Sequence, residues 1–374
     1  MADGASAAPP LRAFLGVLAG DYLLWILLLA LLAFSMARPG GIVHYPDLVD
    51  WRTIATLTGL LALSKGVELS GYLPRLAQRL VTAMSTERRL AVFLVLATAL
   101  LATVLTNDVA LFVMVPLTLS LRNSGVPLTR LIVFEALAAN AGSVLTPIGN
   151  PQNLFLWQLA HVSFEHFVLA MLPLAALLLA LLLLLTLLAF PCRRLQLSGK
   201  QAPAHTDQLM LVLSLGLYIP FLLVTDLRHP YLALLTLAPL LLARRTVLAR
   251  LDWALLLVFV LMFIDLRLLS QLDAVQAWIR SAGLGRLPHL YLAGIASSQV
   301  ISNVPAAILL AEYSRDWRVI AYAVNVGGFG FMIGSLANII ALRMAPDRRA
   351  WLSFHAYSLP FLLAAGALAW QLLR

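Results

Sequence analysis

Three adjacent polar residues, Thr106, Asn107 and Asp108, interrupt the apolar run LLATVLTNDVALFVMVPL at residues 100–117. They supply a hydroxyl, an amide and a carboxylate, whose oxygens suit a hard cation, and a carboxylate can also carry a proton. An Asp at the centre of a bilayer costs roughly 3 kcal/mol, so its presence in a membrane span indicates a function. We expect Asp108 to bind or carry a coupling cation; capping of the following helix is a compatible alternative.

Two further stretches, GSVLTPIGNPQN (142–153) and VGGFGFMIGSLAN (326–338), place Gly, Pro and polar residues where apolar helices are expected. Unwound backbone persists within a bilayer only where it lines a cavity or is buried in protein. There, free carbonyls can bind a cation, and the N-termini of half-helices attract an anion. We therefore predict two broken helices and assign Thr146, Gly149 and Asn150 to the coupling-ion site with residues 106–108.

The substrate site is predicted from a second polar triplet, in the stretch SSQVISNVPAAILLA, and from the remaining polar residues of the breaks. The candidates are Ser302, Asn303, Pro305, Gln152, Asn153, Ser335 and Asn338. We expect four asparagines to ring one central site: Asn107, Asn150, Asn303 and Asn338. Candidates for a proton or charge relay are Glu135, Lys65 and Arg267, although Glu135 equally suits a bond inside the bundle and Lys65 can be neutralised by Glu68.

The composition requires a membrane protein, because 61% of the residues are hydrophobic and only 11% are charged, against about 25% in soluble domains. Apolar runs of about 20 residues are continuous, not alternating, which favours helices over a barrel. We predict an all-α polytopic protein in a bacterial inner membrane, with spans near 14–36, 51–70, 127–160, 165–190, 208–224, 230–243, 251–266, 317–344 and 350–373. Residues 23–37 also resemble a signal peptide, but a retained first span is commoner in polytopic chains.

Two segments, 88–122 and 287–313, are too long for one crossing and short for two. Arg88 and Arg89 precede the first, and Arg122 and Arg130 follow it, so both of its ends are expected on the cytoplasmic side. Each segment is therefore predicted to be a re-entrant helical hairpin, with the N-terminus of the chain cytoplasmic. The net charge of +9 comes from basic clusters between apolar runs, which indicates orientation in a lipid bilayer and not nucleic-acid binding.

The chain also repeats itself at a constant offset of 202 between residues 49–71 and residues 251–273, pairing Asp50 with Asp252 and Lys65 with Arg267. Counting crossings puts Asp50 outside and Asp252 inside, so we predict two inverted-topology repeats, as in secondary transporters. The predicted units are a tail and first helix (1–48), repeat 1 (49–190), a linker with connecting helices (191–250) and repeat 2 (251–374). Each repeat holds one hairpin and one broken transmembrane helix.

The stretches LTNDVALFVMVPLTLSL, LTPIGNPQNLFLW and SSQVISNVPAAILLA resemble the ion transporter superfamily, from about Asp50 to Trp351. This group includes arsenite permeases, citrate transporters, divalent anion:sodium symporters and Na⁺/H⁺ antiporters. The resemblance implies a homodimer in which a transport domain with two opposed hairpins moves like an elevator against a scaffold. In the dicarboxylate branch both tips read Ser-Asn-Thr, whereas this chain has Thr-Asn-Asp and Ser-Asn-Val; an acid after the asparagine resembles the arsenite and antiporter branches.

These observations predict a secondary active transporter, coupled to Na⁺ or H⁺, for a small inorganic or organic anion or oxyanion. A Na⁺/H⁺ antiporter and an arsenite-type efflux permease are the alternatives. No enzyme activity is expected, since a membrane hydrolase would need a nucleophile with its base or a metal cluster, and neither is visible. The single cysteine, Cys192, excludes an intrachain disulfide and a cysteine-built metal site, so we expect no cofactor beyond Na⁺ as a coupling ion.

Overall fold

The computed structural model describes residues 22–82, 84–195 and 206–374. Residues 1–21, 83 and 196–205 lie outside the described residues. They include Arg12 near the N-terminus and Lys200 in the predicted linker. All the regular elements in the described ranges are helices, as the composition predicts. This all-helical architecture, with several long apolar helices, is consistent with a polytopic membrane protein.

Within the described ranges, the first half of the chain forms eight α-helices and the second half forms eleven. Those of the first half are α1 Tyr22–Ala37, α2 Trp51–Leu69, α3 Tyr72–Thr82, α4 Glu87–Val104, α5 Asn107–Ser120, α6 Leu128–Ser143, α7 Pro151–Ala160 and α8 Phe164–Ala189. Those of the second half are α9 Gln208–Asp226, α10 Pro230–Leu235, α11 Ala238–Ala243, α12 Thr246–Ala249, α13 Trp253–Ser270, α14 Asp273–Ala282, α15 Leu287–Ile301, α16 Asn303–Ala311, α17 Trp317–Gly327, α18 Leu336–Met344 and α19 Ala350–Leu373. Short 3-10 turns connect some of them, the longest at Pro39–Leu48.

Four of the described helices, α8, α9, α13 and α19, are long and apolar enough to cross a membrane. They match the predicted spans 165–190, 208–224, 251–266 and 350–373. The predicted span 230–243 coincides with the apolar stretch Pro230–Ala243, in which a short turn at Thr236 and Leu237 separates α10 from α11. Two short helices, α3 and α14, were not predicted as separate elements, since each is only about ten residues long and carries charged residues.

The two halves share an order of elements and local details at their starts. Asp50 caps α2 and Asp252 caps α13, each accepting a hydrogen bond from a backbone N–H of the first turn. The indole of Trp51 donates to the carbonyl of Pro46 at 2.9 Å, and that of Trp253 donates to Leu248 at 3.1 Å, in both cases five residues earlier. These details agree with the sequence offset of 202.

Each predicted hairpin contains two helices in contact, α4 with α5 and α15 with α16. Each of these pairs also contacts the helix that follows it, α6 or α17. Small residues allow the backbones to approach: a Cβ on Gly142 of α6 would lie 2.1 Å from the carbonyl oxygen of Ala99 of α4. In the second half, a Cβ on Gly327 would lie 2.5 Å from Cβ of Ser298. Glycine at such contacts is typical of helices packed within a membrane.

Helices α6 and α17 end inside the two stretches predicted to be broken, 142–153 and 326–338. Helices α7 and α18 begin near the ends of the same stretches. Residues 144–150 separate α6 from α7, and residues 328–335 separate α17 from α18. The predicted spans 127–160 and 317–344 are thus broken helices, as their Gly and Pro content indicates. The two breaks bring the predicted site residues into the protein interior.

Candidate functional site

The first hairpin turns at Leu105 and Thr106, and α5 begins at Asn107. Thr106 and Asn107 are buried, each with only 4% of its surface exposed, whereas Asp108 is half-buried. The Asn107 side chain accepts a hydrogen bond from the Asp108 backbone N–H at 3.0 Å. Within the described chain, Thr106 Oγ1 and Asp108 Oδ1 are buried and have no hydrogen-bond partner. We call these two atoms the unpaired tip oxygens.

The first break is held by hydrogen bonds to its own backbone and to the hairpin. The Asn107 backbone N–H donates to the Gly149 carbonyl at 2.9 Å, and Thr146 Oγ1 donates to the Thr103 carbonyl at 2.6 Å. Asn150 caps α7 by accepting from the Asn153 N–H at 2.9 Å. Gly149 is required by crowding, since a Cβ there would lie 2.4 Å from the Ser143 carbonyl oxygen. The predicted coupling-ion residues are therefore neighbours.

The second hairpin turns at Ser302, whose φ of 72° lies in the left-handed region that non-glycine residues seldom adopt. The hydroxyl of Ser302 donates to Asn303 Oδ1 at 3.5 Å, a long bond. Asn303 is buried and lies beside the second break. A Cβ added to Gly328 of this break would lie 3.1 Å from Asn303 Nδ2. Pro305, one turn further along α16, is also buried. This tip carries no acid, in contrast to the first.

Hydrogen bonds between asparagines join the two halves at both breaks. Asn140 of α6 donates to Asn338 of α18 at 2.7 Å, and Asn150, which precedes α7, donates to Asn325 of α17 at 3.0 Å. In each pair, one asparagine lies in the helix that precedes the break of its own half. The other asparagine lies at the start of the helix that follows the break of the other half. All four side chains are buried, and in a low-dielectric interior such bonds fix a single arrangement of the two breaks.

The network continues through the remaining candidates. Ser335 Oγ donates to Asn140 Oδ1 at 2.9 Å, and Asn338 Nδ2 donates to the Gly328 carbonyl at 2.9 Å. On the other side, Asn325 Nδ2 donates to Asn153 Oδ1 at 2.7 Å. Gln152 is buried next to Asn153. Of the four asparagines predicted to form a ring, Asn107 and Asn150 lie at the first break, and Asn303 and Asn338 both lie beside Gly328 of the second break. A single ring of four, and its role in binding, stay predictions.

The three relay candidates make their bonds away from the tips and breaks. Glu135 is fully buried in α6 and accepts a hydrogen bond from Thr118 of α5. Lys65 pairs with Glu68 at 2.7 Å on its own helix, as its spacing predicts. Arg267 pairs with Glu312 at 3.0 Å and also donates to the Leu48 carbonyl. Both cations are therefore neutralised in this conformation.

Four residues that were not predicted as site residues stand out in the structure. Asn140 and Asn325 lie in the last turn before each break, in LAANAGS and AYAVNVGG, and an amide just before small residues is the signal that identifies them. Asp265 of α13 is 4% exposed, and both of its carboxyl oxygens lack a partner among the described residues. Asp252, noted only as a repeat marker, lines the same cavity as Asp108.

Comparison with known proteins supports a transport role. The profile of the citrate transporter family (CitMHS) matches residues 22–316. The chain is 49% identical to inner membrane protein YbiR of Escherichia coli over 96% of this chain and 97% of that protein. It is 32% identical to the uncharacterized transporter MJ0456 of Methanocaldococcus jannaschii over 84% of this chain and 86% of that protein.

These matches confirm the resemblance to the ion transporter superfamily and agree with a location in the bacterial inner membrane. The substrate, the coupling ion and the side on which the N-terminus lies stay predictions. The chain is a membrane transporter and belongs to the citrate transporter family.

Proposed function

We propose that the protein is a secondary active transporter that couples the movement of Na⁺ or H⁺ to that of a small anion or oxyanion. Membership of the family supports transport, and the coupling ion and the substrate class are the parts proposed. Transport of this kind needs no catalytic residue and no cofactor other than the coupling ion. The N-terminus is proposed to lie in the cytoplasm.

The observation that carries the coupling proposal is the pair of unpaired tip oxygens, on Thr106 and Asp108. A buried oxygen without a donor is costly, because it has given up its hydrogen bonds to water. A bound cation supplies what both atoms lack, and a proton satisfies the carboxylate alone. Asn150 and the carbonyls of the first break complete a set of oxygen ligands typical of a hard cation.

The substrate proposal rests on the second tip and on the helices that start near it. Ser302 and Asn303 make only one long side-chain bond, to each other, among the bonds of the described residues, so both remain available to a ligand. Helices α16 and α18 begin at Asn303 and Leu336, and their N-terminal amides favour an anion. Citrate is the first anion to test, because it names the family. The remaining substrate contacts are proposed to be Pro305, Gln152, Asn153, Ser335 and Asn338.

We also propose that the two halves are inverted repeats, that both hairpins are re-entrant, and that a homodimer works by an elevator-like movement. The shared order of elements and the matching caps at Asp50 and Asp252 support a duplication. The reciprocal asparagine bonds support a pseudo-twofold relation between the breaks. In such transporters the substrate binds at the interface of the repeats.

One observation favours the alternative of a Na⁺/H⁺ antiporter. Lys65 and Arg267 each pair with a Glu, so neither offers an uncompensated positive charge to an anion in this conformation. Asp108, in contrast, has a carboxylate that can exchange a bound Na⁺ for H⁺. An arsenite-type efflux permease is the third candidate, since a small oxyacid needs hydrogen-bond donors and acceptors more than a positive charge.

Flux into proteoliposomes separates these candidates. We expect an inward Na⁺ gradient or an inward proton gradient to accumulate one labelled anion from a panel of citrate, succinate, phosphate and arsenite. Empty liposomes and the Asp50→Asn variant serve as controls. Na⁺ movement driven by a pH gradient with no anion present would instead establish the antiporter, and flux of arsenite out of loaded vesicles would establish the efflux permease.

A further inference from the structure

A cavity of about 80 Å³ lies where α2, α5, α13 and α18 meet. Its lining includes three charged residues, Asp108, Asp252 and Lys65, together with Thr106 and apolar side chains. The ammonium of Lys65 is paired with Glu68, so the two carboxylates are the charges of the lining that remain for a cation.

Asp252 differs from its repeat counterpart Asp50 in how its carboxylate is used. The second oxygen of Asp50 accepts a hydrogen bond from the Thr53 hydroxyl at 3.0 Å. Position 255, which corresponds to Thr53, is Leu, and Asp252 makes only the cap bond from the Leu255 N–H at 2.9 Å among the described bonds. Its other oxygen therefore remains free at the edge of the cavity.

Asp252 is exposed and lies close enough to Asp108 for the two negative charges to act on each other. It thus stands between solvent and the buried tip. A carboxylate at the entrance of a cleft with low-dielectric walls raises the local concentration of cations.

Thr106 provides an independent indication of a bound ion. It is 96% buried, its Oγ1 has no partner in the described chain, and it lines this same cavity. A hydroxyl oxygen can coordinate Na⁺ but does not take up a proton at ordinary pH. The presence of this hydroxyl oxygen and Asp108 Oδ1 in the same cavity, both without a hydrogen-bond partner among the described residues, therefore favours Na⁺ over H⁺.

We propose that Asp252 forms a Na⁺ entry site at the mouth of this cavity and delivers the ion to Thr106 Oγ1 and Asp108 Oδ1. This inference rests on the proposed function and adds the ion, the route and a new residue. Asp252 lies in a loop that the sequence places in the cytoplasm, so the site is the cytoplasmic access to the coupling site. Lys65 is held by Glu68 at 2.7 Å and does not compete for the ion in this conformation.

Binding of radiolabelled Na⁺ to the purified full-length protein tests the proposal without any anion. Asn caps a helix as well as Asp does, so Asp252→Asn removes the charge and keeps the start of α13. We expect this variant to bind Na⁺ about three- to tenfold more weakly, because one nearby negative charge is lost. Asp252→Glu should restore binding, and the matched Asp50→Asn variant should bind like the wild type.

Ionic strength provides a readout that a purely structural role would not change. Added choline chloride should weaken Na⁺ binding by the wild type and reduce its advantage over Asp252→Asn, since an exposed charge is screened by salt. Equal affinities of Asp252→Asn, Asp50→Asn and the wild type would overturn the entry site. A wild type that binds no Na⁺ would overturn it too, while anion flux driven by a proton gradient would leave the proposed function standing.

Discussion

At the residue scale, a few polar side chains distinguish the candidate site from the apolar helices around it. Thr106 and Asp108 stand out in the sequence because polar residues are costly in an apolar run. The sequence could not show that their oxygens are unpaired, because partners come from other segments. Asn140 and Asn325 were missed for the same reason: each looks like an isolated amide until the fold places it against the opposite break.

Asp265 provides a test of how buried carboxylates are tolerated in this protein. Both of its oxygens lack partners in the described chain, and an unpaired buried charge costs several kcal/mol. We expect Asp265→Asn, which cannot ionise, to melt in detergent at the same temperature as the wild type or higher, with unchanged anion flux. Asp316→Asn, at the exposed cap of α17, is the control. A loss of flux with retained stability would instead make Asp265 a functional residue.

At the scale of helices, the sequence best predicted the boundaries that are marked by residues unfavourable to a helix. The Gly and Pro residues of 142–153 and the Gly residues of 326–338 correctly marked both breaks. The short helices α3 and α14 escaped prediction because both are amphipathic and carry charged residues, so neither forms a continuous apolar run. The span predicted at 230–243 matches one apolar stretch, Pro230–Ala243, although the sequence did not predict the turn at Thr236 and Leu237 that divides it into α10 and α11.

Contact between α4 and α6 depends on Gly142. A Cβ at this position would lie 2.1 Å from a backbone carbonyl oxygen, which cannot move aside as a side chain can. We expect Gly142→Ala to destabilise the protein by about 1–3 kcal/mol, the usual cost of overpacking, and to lower its melting temperature in detergent. Gly216→Ala is the matched control, because nothing lies within 4 Å of the added Cβ. Equal melting temperatures for the two variants would contradict this packing.

At the scale of the whole molecule, composition and motifs predicted an all-helical membrane protein and a family resemblance, and the structure and the relatives of the chain support both. Orientation is harder to predict, because it depends on charges in loops and on which segments turn back. The offset of 202 and the matching caps support two equivalent units, but a duplicated unit can be inserted in either direction. The inverted arrangement therefore needs a measurement on membranes.

Cysteine labelling in whole cells tests the inverted arrangement. With Cys192 replaced by Ser, we expect Gly40→Cys, in the loop before α2, to react with a membrane-impermeant maleimide from outside. Thr246→Cys, shortly before α13, should react only after the membrane is permeabilised. Both positions are exposed. Labelling of both from the same side would show that the two units have the same orientation.

Coupling at Asp108 is the central claim, and gradient-driven uptake by proteoliposomes measures it most directly. We compare the wild type with Asp108→Asn, which keeps the size of the side chain but can neither carry a proton nor neutralise Na⁺. Asp50→Asn is the matched control at an exposed cap. The account predicts that Asp108→Asn inserts and folds normally but loses accumulation of the anion driven by the Na⁺ or proton gradient. Normal gradient-driven accumulation by Asp108→Asn would contradict it.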